Sequence, residues 1–441
     1  MDQREFGVVR ASGVVLFIIG GVFYLHQQVA YAWQFATLND FKHLYLAGYL
    51  AARGGNFFDA GLMLRTTDFL QIPPGINPFV YPPFFALLLI PLAWLDFQSA
   101  WLLFTLASHA AFWIALLTIV SLVRRDESHT AAWLGILTVL AAAFFPLLKN
   151  YTAGQMNTFL LLIIALAAYL YHRGAKIQTG LLLGFGASLK VAPAFLLLYF
   201  AWKREWRILA AGLTFLAAAF FISLAVLGIE PHLAFLHEVR QMGYGSSTWA
   251  QYGQHFHVEP HNQSPSALWY RLLTDNPVTQ GIMDSPWLAK AFSYLTAAGI
   301  FAFLLAWTPR TDREQFLEEY SMWTLAMLLL PSLMWDHYLV QAVLAIAVML
   351  RLLLEGKTRA ALLLGLGLAL VLVPTVYDRP SAYFEQPIFL QGWATLAMPV
   401  KLYGLLMLAV YLALHRKPAA NPTSNSAESK SAAISANENL V

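Results

Sequence analysis

The chain reads as an all-α, polytopic membrane protein, and three observations lead there. Hydrophobic residues fill 59% of the 441 positions and charged residues only 12%, whereas soluble domains carry about 25% charge. Apolar runs near the roughly 18–20 residues needed to cross a bilayer recur along the chain, about twelve in all. The alternation of apolar and polar residues over about ten positions that marks a membrane β-barrel is absent. The net charge of +3 is small and scattered, which gives no basis for nucleic-acid binding, and the absence of cysteine excludes disulfide and thiolate chemistry.

Residues 11–31 form the first run. No convincing small-residue cleavage site follows it, so it is read as a retained span. A first hydrophilic insertion, 32–81, holds two short amphipathic helix candidates, 40–53 and 59–70. A Pro-rich link then runs from Pro73-Pro74 to Pro82-Pro83. Apolar segments follow at 82–95, 98–122, 130–148, 155–171, 178–201 and 206–228. The second insertion, 229–285, is rich in His, Gln, Gly and Trp. Segments 286–307, 318–334, 338–354, 358–374 and 393–414 complete a single membrane domain over 1–416. The tail, 417–441, is Ser, Ala and Asn with a few charges and is expected to be disordered.

Lys and Arg mark cytoplasmic loops. Arg4 and Arg10 precede the first run, and Lys203, Arg204 and Arg207 share one short loop. Further clusters are Arg310 with Arg313, then Arg351, Lys357 and Arg359, then Arg416 with Lys417. Strict alternation puts all of these inside and both insertions outside, together with the Asp336–His337 and 375–392 loops. Arg124-Arg125 and His172–Lys176 break the pattern unless 82–95 and 178–201 enter and return without crossing. The first of these holds Pro91, and the second is interrupted by Gly184, Gly186, Lys190 and Pro193. Such irregular backbone is tolerated at membrane depth only where it is buried in protein or lines a wet cavity. Both topologies stay open at this point.

Asp40 stands where the chain leaves the first run. Its carboxylate suits a general base acting on a hydroxyl, or an N-cap for the helix it begins. Lys190, in an apolar segment, is costly to bury and suits a phosphate, or it snorkels to the interface. Gln155 and Asn157 offer amides for sugar hydroxyls, or a polar helix start. Asp336-His337-Tyr338 offers a phosphate ligand in His337 and a rival base in Asp336, or an interfacial loop. Asn262 and Ser264 either line a substrate groove or cap the helix near Ala267. His255, His257, Glu259 and His261 alternate without a defensible metal spacing. No Walker A, G-x-G-x-x-G or paired DxD sequence occurs.

Taken in order, these pieces resemble one family. Asp40 with Tyr45, Ala47 and Gly54 comes first, then Tyr81-Pro82-Pro83-Phe84 with Pro91-Leu92-Ala93. Gly154-Gln155 with Asn157, Gly180 to Lys190-Val191 and Pro193, and Trp206-Arg207 follow, then Asn262-Gln263-Ser264 and Asp336-His337-Tyr338. Over about residues 38–340 the chain resembles glycosyltransferase family 87, the polyprenol-phosphate-mannose-dependent α-mannosyltransferases of the GT-C superfamily. The resemblance implies a GT-C fold with amphipathic juxtamembrane helices in the first external loop. It implies an inverting transfer from a polyprenyl-phosphate sugar, without metal or cofactor, at the external, periplasmic face of the inner membrane. It implies Asp40 as the base, with Lys190, His337, Gln155, Asn157, Tyr81, Asn262 and Ser264 contacting substrates. The expected partners are the lipid-linked donor, a lipid or glycan acceptor and membrane lipids. The alternative from a different class is a lipid or solute transporter or flippase.

Overall fold

The computed structural model describes residues 3–310, 314–374 and 386–415. Arg313, Arg416, Lys417, most of the 375–392 loop and the 417–441 tail lie outside the described residues. Helices dominate throughout. The one β contact among the described residues is a bridge between Gln280 and Gln391, which ties the second insertion to the segment before the last helix.

Helix α1 (Gln3–Tyr24) continues through a π-helical stretch, Leu25–Tyr31, to Gln34. The first insertion carries α2 (Asn39–Ala51) and α3 (Ala60–Phe69). Next come α4 (Pro83–Leu89), α5 (Phe97–Val123), α6 (Thr130–Ala143), α7 (Phe145–Ala153), α8 (Asn157–His172), α9 (Lys176–Leu189), α10 (Ala194–Trp202) and α11 (Trp206–Leu227). The second insertion holds α12 (Glu230–Gln241) and α13 (Pro265–Leu273). Helices α14 (Pro286–Trp307), α15 (Phe316–Leu329), α16 (Val343–Leu354), α17 (Ala361–Leu372) and α18 (Val400–Leu414) follow.

Among the described residues, five helices are long and apolar enough to cross a bilayer: Gly7–Gln34, Phe97–Val123, Trp206–Leu227, Pro286–Trp307 and Asp336–Leu354. The pair α6–α7, bent by 61°, adds a sixth if it is one span. The remaining apolar runs are shorter or broken, for local reasons. The 130–148 run breaks at Phe144, ahead of Pro146, which has no N–H to donate and sits in the first turn of α7. The 178–201 run breaks at Lys190, which is extended (φ −149°, ψ 131°), two residues before Ala192-Pro193. The 82–95 run is α4 followed by a 3-10 turn, Ile90–Trp94, that contains Pro91.

The outward faces of the long helices are apolar: Phe221 is 63%, Leu295 65% and Val22 63% exposed. Apolar surface on this scale belongs against lipid. Helices pack through small residues, as membrane helices do. A Cβ on Gly180 would lie 2.2 Å from the Ile208 carbonyl, so α9 and α11 approach to backbone contact.

Ion pairs settle how the longer broken segment runs. Arg125 approaches Glu355 at 3.9 Å, and Arg351 binds Glu318 at 2.7 Å. Lys176, the first residue of α9, binds Glu205 at 2.7 Å, and Lys203, after α10, binds Glu319 at 2.8 Å, while Trp202 donates to the Thr308 carbonyl. Both ends of 176–202 therefore lie at one end of the molecule, with Arg125 and Arg351. The 82–95 segment packs on α2, where the Tyr45 hydroxyl donates to the Leu95 carbonyl at 2.8 Å. The 176–202 segment therefore turns back at Lys190, and a returning 82–95 segment would remove the charge conflict at Arg124-Arg125 and His172–Lys176.

The first insertion departs from expectation. Helix α3 is amphipathic, with Met63 buried and Arg65 and Asp68 exposed. Helix α2, expected to be amphipathic, is buried nearly all round. The Pro-rich link folds over it, with Lys42 Nζ donating to the Pro74 carbonyl at 2.9 Å, and Gly48 lets it rest against the Leu89 backbone.

This topology makes a labelling prediction, because the chain has no native cysteine. Single cysteines at Ser128 and Arg173 should react with a membrane-impermeant thiol reagent from the same side, and one at Gly253 from the other side. Reaction of Ser128→Cys or Arg173→Cys alongside Gly253→Cys would mean that the broken segments cross.

Candidate active site

Asp40 is placed by backbone rather than by capping. Leu38 adopts a left-handed conformation (φ 56°) and is the residue preceding α2, and no side chain caps the helix. The N-cap role weighed for Asp40 is thus not found: it lies inside the first turn, and its carboxylate accepts from Asn77. Instead Thr37 and Leu38 donate to the Thr152 carbonyl at 2.9 and 3.0 Å, which fastens the start of α2 to the end of α7. Gly154 ends α7 with φ +70°, and a Cβ there would lie 2.4 Å from the Phe41 Cβ. Only glycine gives both the turn and the approach.

Asp40 faces a cavity of about 300 Å³ that draws on both insertions and on the turn before the 3-10 helix Asp336–Ala342. Its lining includes Asp40, His43, Asn77, Tyr81, Gln155, His337 and Tyr338, together with Thr248, Phe256, Glu259, His261, Trp335, Lys149 and Asp336. Asn77 Nδ2 donates to Asp40 Oδ1 at 2.6 Å, and Tyr81 donates to Gln155 Oε1 at 3.3 Å. Lys190 Nζ sits 3.7 Å from the Tyr338 ring centre and 5.7 Å from that of Tyr81. Lys190 Nζ and His337 Nε2 are both buried without a hydrogen-bond partner.

Burial acts against ionisation of Asp40. Electrostatic interactions with the His337 and His43 rings, and hydrogen bonds from Asn77 and Gln155, outweigh it and hold the carboxyl below its ordinary range. Burial pushes the His43 imidazole, 3.9 Å from Asp40, down to about 4 against the pull of that carboxylate. At neutral pH the site presents an ionised Asp40 beside a neutral His43. Burial raises Glu259, also on the cavity lining, to about 7.

The structure thus gathers Asp40, Tyr81, Gln155 and His337 around one space with Lys190 beside it. It places three further candidates elsewhere. Asn157 is fully buried, donates from Nδ2 to Asn150 Oδ1 at 3.2 Å and accepts from Gln341 at 3.0 Å. Asn262 donates to the carbonyls of Phe256 and Ser332, and Ser264 donates to Ser332 and caps α13 through Ala267 N–H. These side chains build the scaffold around the cavity. Sequence reasoning missed Asn77, Thr248, Phe256 and Trp335, which are brought in by loop packing alone. Glu259 and His261 were visible only as part of the His-rich alternation. Among the described residues no three His, Cys, Asp or Glu side chains gather as for a metal ion.

Two stability predictions follow from this geometry. Gly154→Ala should lower stability by about 1–3 kcal/mol from backbone strain alone, read as a lower melting temperature. Glu259 binds its proton more tightly folded than unfolded, so its favourable contribution is complete below the ordinary value of 4.5 and is lost as pH rises through about 7. Between pH 5 and pH 8, Glu259→Gln should therefore gain up to about 3 kcal/mol over the wild type. Parallel melting curves at the two pH values would contradict this.

Comparisons with known proteins agree on one family. The profile described as glycosyltransferase family 87 matches residues 79–332. A polyprenol-phosphate-mannose-dependent alpha-(1-2)-phosphatidylinositol mannoside mannosyltransferase of Mycobacterium tuberculosis is 30% identical over 178 residues, 37% of this chain and 39% of that protein. A polyprenol-phosphate-mannose-dependent alpha-(1-2)-phosphatidylinositol pentamannoside mannosyltransferase of the same species is 26% identical over 200 residues, 42% and 46% of the two chains. The mannoside enzyme of Mycolicibacterium smegmatis is 33% identical over 140 residues, 29% and 31% of the two chains. The chain thus spans less than half the length of the curated relatives it matches. No solved structure matches it. The family match takes in more than half of the chain, including Tyr81, Gln155, Lys190 and the second insertion, and the chain belongs to glycosyltransferase family 87.

Proposed function

We propose that this protein is a membrane glycosyltransferase of GT-C type that moves a sugar, mannose by analogy with its relatives, from a polyprenyl-phosphate donor to a hydroxyl of a lipid or glycan acceptor. The observation that carries the reading is the pair of buried polar atoms without partners, Lys190 Nζ and His337 Nε2, beside the cavity that Asp40 faces. A buried cation with nothing to bind is costly, and a phosphate would satisfy both groups. The relatives' printed names supply the donor class.

The reaction is a direct displacement. The acceptor oxygen attacks the anomeric carbon, and Asp40 takes the proton, so the O–H electron pair is left on the oxygen that bonds to carbon. The bond from carbon to phosphate oxygen breaks, and its electrons leave with polyprenyl phosphate. Lys190 and a His337 N–H donor stabilise that charge in a low-dielectric site, where preorganised charges and donors count most. Phosphate leaves without a proton donor, so one carboxylate is enough, unlike the pair used in glycoside hydrolysis. With the positive charge supplied by side chains, the reading includes no metal or cofactor. Asp40 ranks above Asp336 as base because Asn77 orients it at 2.6 Å, whereas Asp336 acts on the buried ammonium of Lys401.

The arginines and lysines gathered opposite the cavity, among them Arg125, Lys176, Lys203 and Arg351, support a cytoplasmic placement of that end. The cavity then opens on the external face of the cell membrane. Family membership favours an enzyme over the transport alternative.

The test is to incubate the purified protein with polyprenyl-phosphate mannose and membrane lipid extract and to look for a new mannosylated species. Asp40→Asn should lower the rate by about 10²–10⁴-fold, with Asp336→Asn far less affected. The reverse order would reassign the base. No product from any polyprenyl-phosphate sugar would defeat the reading. The acid limb of the rate should fall below the ordinary carboxylate range, because Asp40 is held low. A loss of rate between pH 6 and 5 would point to another base.

A further inference from the structure

Transfer leaves the acceptor's proton on Asp40, and a buried imidazole with no other task lies one helical turn away. His43 sits on α2, is 1% exposed and lines the cavity. Its Nδ1 lies 3.9 Å from Asp40 Oδ1, the oxygen that Asn77 holds. The ring stacks on Tyr81 at 5.6 Å, with Phe79 edge-on at 6.3 Å. Lys190 Nζ is 5.7 Å from the centre of that same Tyr81 ring, so one aromatic side chain borders both the imidazole and the ammonium. Both His43 nitrogens are buried without a hydrogen-bond partner, a cost that an apolar side chain packed there would not carry. Burial most strongly disfavours a charge on the ring. The Asp40 carboxylate and the Asn39 carbonyl favour one, and the Lys190 ammonium opposes it.

We propose that His43 is a proton relay, which takes the acceptor's proton from Asp40 and hands it to the departed phosphate. Once the bond from the anomeric carbon to the phosphate oxygen has broken, the Asp40 O–H gives its proton to the His43 Nδ1 lone pair. The Nε2 proton passes to an oxygen of polyprenyl phosphate. Asp40 is again a carboxylate, the ring is neutral, and the phosphate holds one proton where it held carbon. The direction is downhill, since a phosphate monoester takes its second proton with a pKa of about 6, whereas Asp40 is held below the ordinary 3.8. No hydrogen bond opposes a turn of the ring that closes the gap to Asp40 and then restores the starting tautomer. An imidazole tied at both nitrogens, as His232 is by Ser223 and the Gly228 carbonyl, could do neither. The inference rests on the transfer reading above and adds a route for the proton that transfer leaves on Asp40.

The test uses the full chain in lipid nanodiscs, with polyprenyl-phosphate mannose as donor and membrane lipid extract as acceptor, and compares the wild type with His43→Gln and His43→Asn. With protein in excess over donor, each molecule acts once, and both variants should transfer within about threefold of the wild-type rate. With donor in excess they should turn over slower by about tenfold or more. Added imidazole should restore that turnover, because a free base can collect the proton from Asp40 in the cavity. His337→Gln should instead slow both regimes alike, because His337 acts on the phosphate during transfer. Thermal stabilisation by polyprenyl phosphate reports folding, and the relay is judged on the His43 variant that keeps it. Unchanged turnover, or a loss equal in both regimes and unaffected by imidazole, overturns the relay and leaves the transfer reading standing. A wild type that consumes no donor refutes both.

Discussion

The ammonium of Lys190 sets the terms for the centre of this protein. It lies at a break between two short helices, buried, without a hydrogen bond, against the face of Tyr338. On insertion scales a cation within a membrane segment costs about 2.5–3.5 kcal/mol, and a cation–π contact recovers only about 2 kcal/mol when desolvated. The remainder calls for negative charge nearby. Asp40, ionised and oriented by Asn77, supplies part of it from within the cavity. A phosphate between Lys190 and His337 supplies the rest in the proposed complex.

The fold is arranged to keep that configuration. A segment that looks like a span turns back instead: α9–α10 puts Lys190 at its apex, and α4 with its 3-10 turn supports α2 through Gly48. The start of α2 is held by the Thr152 carbonyl and by the absence of a side chain at Gly154. At the far end, buried pairs such as Lys203–Glu319 hold the helix ends in register, and breaking such a pair typically costs 3–5 kcal/mol. Rigid ends and a broken middle leave a polar cavity inside an apolar body.

Much of this could be read from the sequence, for identifiable reasons. Composition and run length gave the class, because lipid-facing residues must be apolar. Proline and glycine marked 82–95 and 178–201 as irregular, and the Arg124-Arg125 conflict pointed to their return. Asp40 and Lys190 stood out because charge in apolar surroundings is rare. The burial of α2 could not be read, since it depends on the Pro-rich link folding over a helix whose own pattern is amphipathic. Asn157, Asn262 and Ser264 look like substrate contacts because a buried structural amide and a ligand-binding one share the same local sequence. Trp335 and Glu259 belong to segments some 75 residues apart, and only packing brings both to the cavity lining.

The most direct measurement of the central claim is the position of the phosphate in a cryo-electron microscopy map of the protein bound to polyprenyl phosphate in a nanodisc. The account predicts phosphate density within hydrogen-bonding distance of Lys190 Nζ and His337 Nε2, with the Asp40 carboxylate facing the same space. Phosphate bound away from Lys190, with that ammonium still buried against Tyr338, would contradict it.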